Sequence, residues 1–313
     1  KLLYLQATQP RLDEEAYGSL ETRLRAMIVN REKSPQSVFQ DALEKELYGD
    51  HPRHRPLSLE LMNEIDPHLA LGVYKNRFKD YSDFTFVFVG SLDLEEMKRY
   101  VRTYLASLPA TGRKESGRYL GDDPLPGKRN VDINFGLEEK TSVRVLFTGE
   151  AEWSTENRYI LSVVRDLLNI RMRESLREEN GGTYGVGVYA NLTREPTERY
   201  STGFAFSCDP ANADLLINAG IHEILDLQER GFKVKNLEKV QEIHLRGYES
   251  GLKENGFWLR SLTSAAKEGR EFSEILDFPN QLKEYDPEQI LEAARKYFSF
   301  DNVVVAKLNP KHN

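Results

Sequence analysis

The run Met172-Arg173-Glu174-Ser175-Leu176-Arg177-Glu178-Glu179-Asn180-Gly181-Gly182-Thr183-Tyr184-Gly185-Val186 is where one structural pattern gives way to another. Upstream of it, Tyr159, Ile160, Val163, Val164, Leu167 and Leu168 recur at intervals of three and four, the spacing of one apolar helix face. Ser154 stands in the N-cap position, so the spacing predicts a helix running to about Glu179. Gly181-Gly182 stops it, because glycine carries no steric penalty in the left-handed turn that ends many helices. Residues 183–192 then alternate as a strand does. The element is helix, glycine turn, strand.

Working outward, residues 141–148 alternate Val143, Val145, Phe147 against Ser142, Arg144, Leu146, which predicts a half-buried strand. Another strand is expected at 202–207 and a last one at 303–308. Helices are expected at 211–228, 236–254, 257–268 and 287–297. Strands in runs, with helices between them, predict an α+β domain whose largely antiparallel sheet carries helices on one face.

A weak internal repeat organises the rest. Asp66-Pro67 and Asp286-Pro287 each suit the start of a helix, Asp as N-cap and Pro in the first turn. Phe78 and Phe298 follow at the same distance, then the apolar runs Phe84-Thr85-Phe86-Val87-Phe88-Val89 and Val303-Val304-Val305-Ala306. Upstream, residues 4–10 read as a strand entering a proline-started helix at 11–28, as residues 204–210 do before the helix at 211–228. The repeat predicts that residues 1–110 are the second half of one domain and residues 131–313 a complete one. Residues 111–130, rich in Gly, Pro, Lys and Arg, have the composition of a linker between them. The chain opens Lys1-Leu2-Leu3-Tyr4 without an initiator Met, so a piece of a longer protein is expected.

Composition bounds the function. With 39% hydrophobic and 30% charged residues, the chain can bury a core. A net charge of -7 argues against a nucleic-acid partner, which leaves a basic patch. No apolar run approaches the roughly 20 residues of a membrane span. One cysteine, Cys208, excludes an internal disulfide, and its neighbour Asp209 disfavours a reactive thiolate.

A zinc site on a helix needs histidines one turn apart, as in His-Glu-x-x-His or its inversion His-x-x-Glu-His. Of the six histidines (His51, His54, His68, His222, His244, His312) only His51 and His54 are close. The prolines Pro52 and Pro56 around them forbid a continuous helix. His222-Glu223 lacks its second histidine. No metal site is therefore expected in this chain. Gly181 to Gly187 is glycine-rich, but it follows a helix and precedes a strand, the reverse of a phosphate cradle.

Arg177 and Tyr184, seven residues apart, flank the glycine turn. On the residues alone two readings stand. Arg177 can offset the negative helix end while Tyr184 packs on the sheet, or both can aim donors at one spot.

The helix-turn-strand run, with Arg177 and Tyr184 at that separation, resembles the last domain of the pitrilysin/insulinase family of zinc peptidases. Tyr74, Phe78, Tyr81, the strand ending Val89-Gly90, Leu92-Asp93-Leu94-Glu95-Glu96 and Leu108-Pro109 resemble the close of another family domain. Within that family the chain resembles the long single-chain bacterial zinc proteases linked by name to quinone-cofactor synthesis. The resemblance implies four such domains in two lobes, with zinc and its His-x-x-Glu-His helix in the amino-terminal half. It implies that this chain holds the later half of the third domain and all of the fourth. Arg177 and Tyr184 would reach substrate peptide held at zinc in the partner lobe. It implies a bacterial periplasmic or cell-envelope location. Because some family members are inactive, a non-catalytic scaffold is the alternative.

Overall fold

The computed structural model describes residues 1–179, 183–282 and 286–311, with the backbone alone at 177–179 and 184. In chain order the first helices are α1 (Leu2–Thr8), α2 (Glu14–Arg31), α3 (Pro35–Tyr48), α4 (Leu59–Glu64), α5 (Pro67–Arg77) and α6 (Leu94–Tyr100). They are followed by α7 (Thr155–Met172), α8 (Ala213–Arg230), α9 (Val234–Gly251), α10 (Asn255–Glu268), α11 (Phe278–Gln281) and α12 (Pro287–Tyr297). The strands are β1 (Lys128–Asn134), β2 (Thr141–Glu150), β3 (Thr183–Thr193), β4 (Arg199–Cys208) and β5 (Val303–Asn309). Two compact units share the chain. One comprises Lys1–Asn30, Leu57–Gly117 and Gly247–Phe278, the other Arg31–Pro56, Arg118–Arg246 and Pro279–Asn313.

The second unit is built on a sheet of order β1-β5-β2-β4-β3. β2 pairs antiparallel with β4 and β5, and β3 with β4, while β1 runs parallel to β5. The alternation in β2 divides two apolar layers. Val143, Val145 and Phe147 join Phe204 and Phe206 of β4 in a core with α7, α8 and α12. Leu146 turns the other way and meets Val304, Ala306 and Leu308 beneath Phe39, Leu43 and Leu47 of α3. Each fully buried large side chain here contributes about 1.5–3 kcal/mol. α8 seats closely on β4 because Gly220 has no side chain; a Cβ there would lie 2.6 Å from the Phe204 ring.

α7 begins where the spacing predicts, its Ser154 side chain accepting from the Asn157 N–H at 2.9 Å. β1 begins at Lys128, inside the stretch of linker composition. Only Val131 of β1 is fully buried, so its pattern carries little apolar signal.

The Asp-Pro correspondence holds in three dimensions. Asp66 accepts from His68 and Leu69 at the start of α5, and Asp286 forms a capping box with Gln289 at the start of α12. Both helices have 11 residues, and Phe78 and Phe298 occupy the same position just after them. Tyr285, before the second cap, lies outside the described residues, as do Asn180, Gly181, Gly182 and His312.

Two expectations are corrected in the first unit. Residues 4–10 are not a strand: Leu2–Thr8 is helical, as Leu, Gln and Ala favour, with no buried residue along it. The apolar run 84–89 is neither helix nor strand and belongs to no ladder among the described residues. β-branched and aromatic residues make a strand only where a partner satisfies their backbone groups, and none among the described residues pairs with this run. Instead its aromatic rings pack locally at tilted angles, Tyr81 against Phe84 at 4.6 Å and Phe78 against Phe84 at 5.8 Å. Asp80 holds the preceding turn, accepting from the Ser82 N–H at 2.9 Å and the Thr111 N–H at 2.7 Å. Those bonds, with the Ser82 and Thr111 hydroxyls, hold the Asp80 carboxyl well below the usual range.

Candidate functional site

α7 does not end as an ordinary helix. Past Met172 it widens into a π-helical turn, Arg173–Glu179, which contains Arg177. Met172 and Leu176 are fully buried, so this turn is anchored in the core by its apolar residues. On the far side of the glycines, β3 begins with an irregularity. Thr183 pairs with Cys208 and Val186 with Phe206, so Tyr184 and Gly185 stand opposite the single residue Ser207. That is a β-bulge, which bends a strand and re-aims a side chain. The Thr183 hydroxyl fixes it, donating to the Ser207 carbonyl at 2.8 Å and accepting from the Gly185 N–H at 3.2 Å.

Arg177 and Tyr184 therefore each occupy a backbone irregularity, one in the π-helical segment before residue 180 and one in the bulge after residue 182. Their side chains lie outside what the structure describes. Both kinds of irregularity recur at functional sites.

The surroundings are charged but self-paired. Arg171, one residue before Met172, donates to Glu223 at 2.9 Å, to the Gly231 carbonyl at 3.0 Å and to Asp226. These bonds tie α7 to the carboxy-terminal end of α8 and hold Asp226 below its usual range. On the same helix, His244 of α9 bridges the Tyr159 hydroxyl at 3.2 Å and Asp166 at 2.7 Å.

Cys208 is buried at the end of β4, where burial and then the charge of Asp209 push its thiol up to about 11. His51 caps the turn Pro52–His54, and His54 stacks on Tyr48 and meets Glu44 at 3.1 Å. Among the described residues no three of His, Cys, Asp and Glu converge on one point. A groove of about 980 Å³ lies beside Glu150, Arg199 and Tyr200, at the opposite end of β4 from Tyr184. No described helix is long and apolar enough to cross a membrane.

Asn169 is the residue that sequence reasoning missed. It is a residue of low helix propensity placed directly after Leu167-Leu168 on the apolar stripe. Its carboxamide accepts the Val188 N–H of β3 at 2.8 Å.

Comparisons agree with this architecture. The chain is 26% identical over 261 residues to the zinc protease PQQL-like protein of Arabidopsis thaliana, covering 79% of this chain and 27% of that one. It is 27% identical over 182 residues to the probable zinc protease PqqL of Haemophilus influenzae, covering 56% and 19%. The fold is similar to that of the periplasmic protease PqqL from Escherichia coli, with a TM-score of 0.85 at 17% identity, over 99% of this chain and 34% of that one. The chain thus spans between 19% and 34% of the length of these relatives. Residues 71–243 match the peptidase M16 inactive domain, more than half of the chain. This match bears out the resemblance to the pitrilysin/insulinase peptidases: the chain belongs to the peptidase M16 inactive domain family.

Proposed function

We propose that this chain is the zinc-free, substrate-enclosing portion of a zinc metalloendopeptidase. In this reading Arg177 holds a carbonyl of the substrate peptide and Tyr184 stabilises the tetrahedral intermediate. The observation that carries it is a π-helical segment at Arg177 followed, within seven residues of sequence, by a β-bulge at Tyr184.

The physics suits the roles. Attack of water on a peptide carbonyl places negative charge on its oxygen, and a preorganised hydroxyl aimed there stabilises that charge by about 3 kcal/mol. The planar fork of arginine can hold a neighbouring carbonyl and fix the register of an extended peptide. Zinc, which supplies Lewis-acid activation in this family, is assigned to an amino-terminal lobe of the same protein.

The relatives named zinc proteases support that assignment, and the periplasmic location of the Escherichia coli protein supports a periplasmic or envelope setting here. In the same reading residues 1–110 close a third domain, 111–130 join it on, and 131–313 form the fourth. Short or unfolded peptides are the substrate class.

The test is Arg177→Ala in the full-length protein, assayed with a fluorogenic peptide. A carbonyl clamp acts in the ground state as well as the transition state, so KM should rise on the order of tenfold, the scale of one hydrogen bond to a charged group. An unchanged KM would leave Arg177 as a charge offsetting its helix end, and favour a scaffold.

A further inference from the structure

One carboxamide joins α7 to β3 twice. The Val188 N–H donates to Asn169 Oδ1 at 2.8 Å, and Asn169 Nδ2 donates to the Val188 carbonyl at 3.5 Å. β3 is the last strand of the sheet, with β4 on one side only. In an antiparallel ladder a residue's N–H and C=O point to the same side of the strand. Those of Val188, opposite Phe204, point away from β4 and are taken by Asn169. Its side chain thus replaces a neighbouring strand for one residue.

The place of this contact gives it meaning. Asn169 precedes Arg177 by eight residues along one continuous helical run, and Val188 follows Tyr184 by four along β3. The two arms of the site element are already pressed together by apolar packing, with Val188, Leu168 and Met172 all buried in one core. Apolar burial is non-directional and tolerates sliding along the strand. A pair of hydrogen bonds to the N–H and C=O of one residue does not, because both weaken steeply off axis. The bulge at Tyr184 and Gly185 interrupts the ladder with β4 four residues or fewer before this contact, so the Asn169 bonds hold β3 next to the irregular stretch.

We infer that Asn169 is a positioning residue: it fixes β3 against α7 and so sets Tyr184 relative to Arg177. The inference rests on the catalytic reading of that pair given above. Acting through Tyr184, Asn169 touches no substrate itself.

The experiment compares Asn169→Ala, Asn169→Asp, Tyr184→Phe and the double variant Asn169→Ala/Tyr184→Phe in the full-length protein. Misplacement of a catalytic group by about 1 Å costs on the order of a hundredfold, so Asn169→Ala should lower kcat by at least about tenfold while KM changes less. Asn169→Asp keeps the acceptor for the Val188 N–H but sets a negative oxygen against its carbonyl. Should the alanine variant fail to fold, the aspartate variant takes its place, alone and combined with Tyr184→Phe; it should fold and also be slow. Faster amide exchange at Val188 should accompany both losses.

The double variant decides the mechanism, because a residue acting through Tyr184 adds nothing once the hydroxyl is gone. Its kcat should match that of Tyr184→Phe alone. Multiplied losses in the double variant, or normal turnover in both Asn169 variants beside a slow Tyr184→Phe, overturn the inference while sparing the catalytic reading. Normal turnover in Tyr184→Phe itself sinks the catalytic reading, and this inference with it.

Discussion

Tyr189 of β3 lies across Gly203 of β4 and donates its hydroxyl to the Val145 carbonyl of β2 at 3.0 Å. One side chain thereby spans three strands, and only glycine lets it pass. A Cβ on Gly203 would stand 2.0 Å from that carbonyl oxygen and 2.5 Å from the Tyr189 hydroxyl. Burial pushes the Tyr189 hydroxyl far up, so it remains a neutral donor across the working pH range.

Gly203→Ala should therefore destabilise the chain by about 1–3 kcal/mol, the cost of overpacking a well-filled site. Tyr189→Phe should cost about 1 kcal/mol, the scale of one hydrogen bond. Urea midpoints measure both. An alanine variant as stable as the parent would mean that Tyr189 does not cross β4 there.

Acid should weaken the second unit through Asp166. Burial alone would raise its carboxyl, but hydrogen bonds from His244 and from Arg165, the latter at 2.8 Å, outweigh it and bring it down to about 2. A carboxyl depressed in the folded state contributes stability that is fully present above its unfolded value. That stability is lost as pH falls from about 4 towards 2. The contribution is about 2 kcal/mol at most. Stability measured against pH should fall less steeply over this window in Asp166→Asn. Parallel acid limbs for the two proteins would assign the loss elsewhere.

Hydrogen exchange should separate the two units. α1 buries no residue, and the run 84–89 has no ladder partner among the described residues. Amides there should exchange well before those of β2 and β5, which are paired on both sides in the sheet. Equal protection would show that 84–89 is paired.

Much of the second unit was legible because its residues obey local rules and tertiary packing then agrees with them. Ser154 caps α7, the stripe from Ile160 to Leu168 is buried, and Val143, Val145 and Phe147 face one layer while Leu146 faces the other. The Asp66 and Asp286 caps were readable for the same reason. Residues 4–10 and 84–89 were misread because a strand is completed by its partner, which a sequence window does not contain. β1 escaped notice as an edge strand whose single buried residue, Val131, leaves no periodicity. The bulge at Tyr184 had a faint signal in Gly185, whereas the clamp from Asn169 depends on how α7 packs against β3. The pairing of Arg177 with Tyr184 came from family resemblance; spacing alone left it beside ordinary helix-end chemistry.

The central claim is that Tyr184 supplies a hydroxyl to the reaction. Phenylalanine keeps the ring and removes only that hydroxyl, so the decisive measurement is kcat for Tyr184→Phe in the full-length protein, with folding checked by circular dichroism. The expected result is an unchanged fold, a KM close to the parent value and a kcat lower on the order of a hundredfold, the loss of one oxyanion donor. Full turnover in this variant would contradict it, leaving this chain an enclosing or scaffolding role without a catalytic hydroxyl.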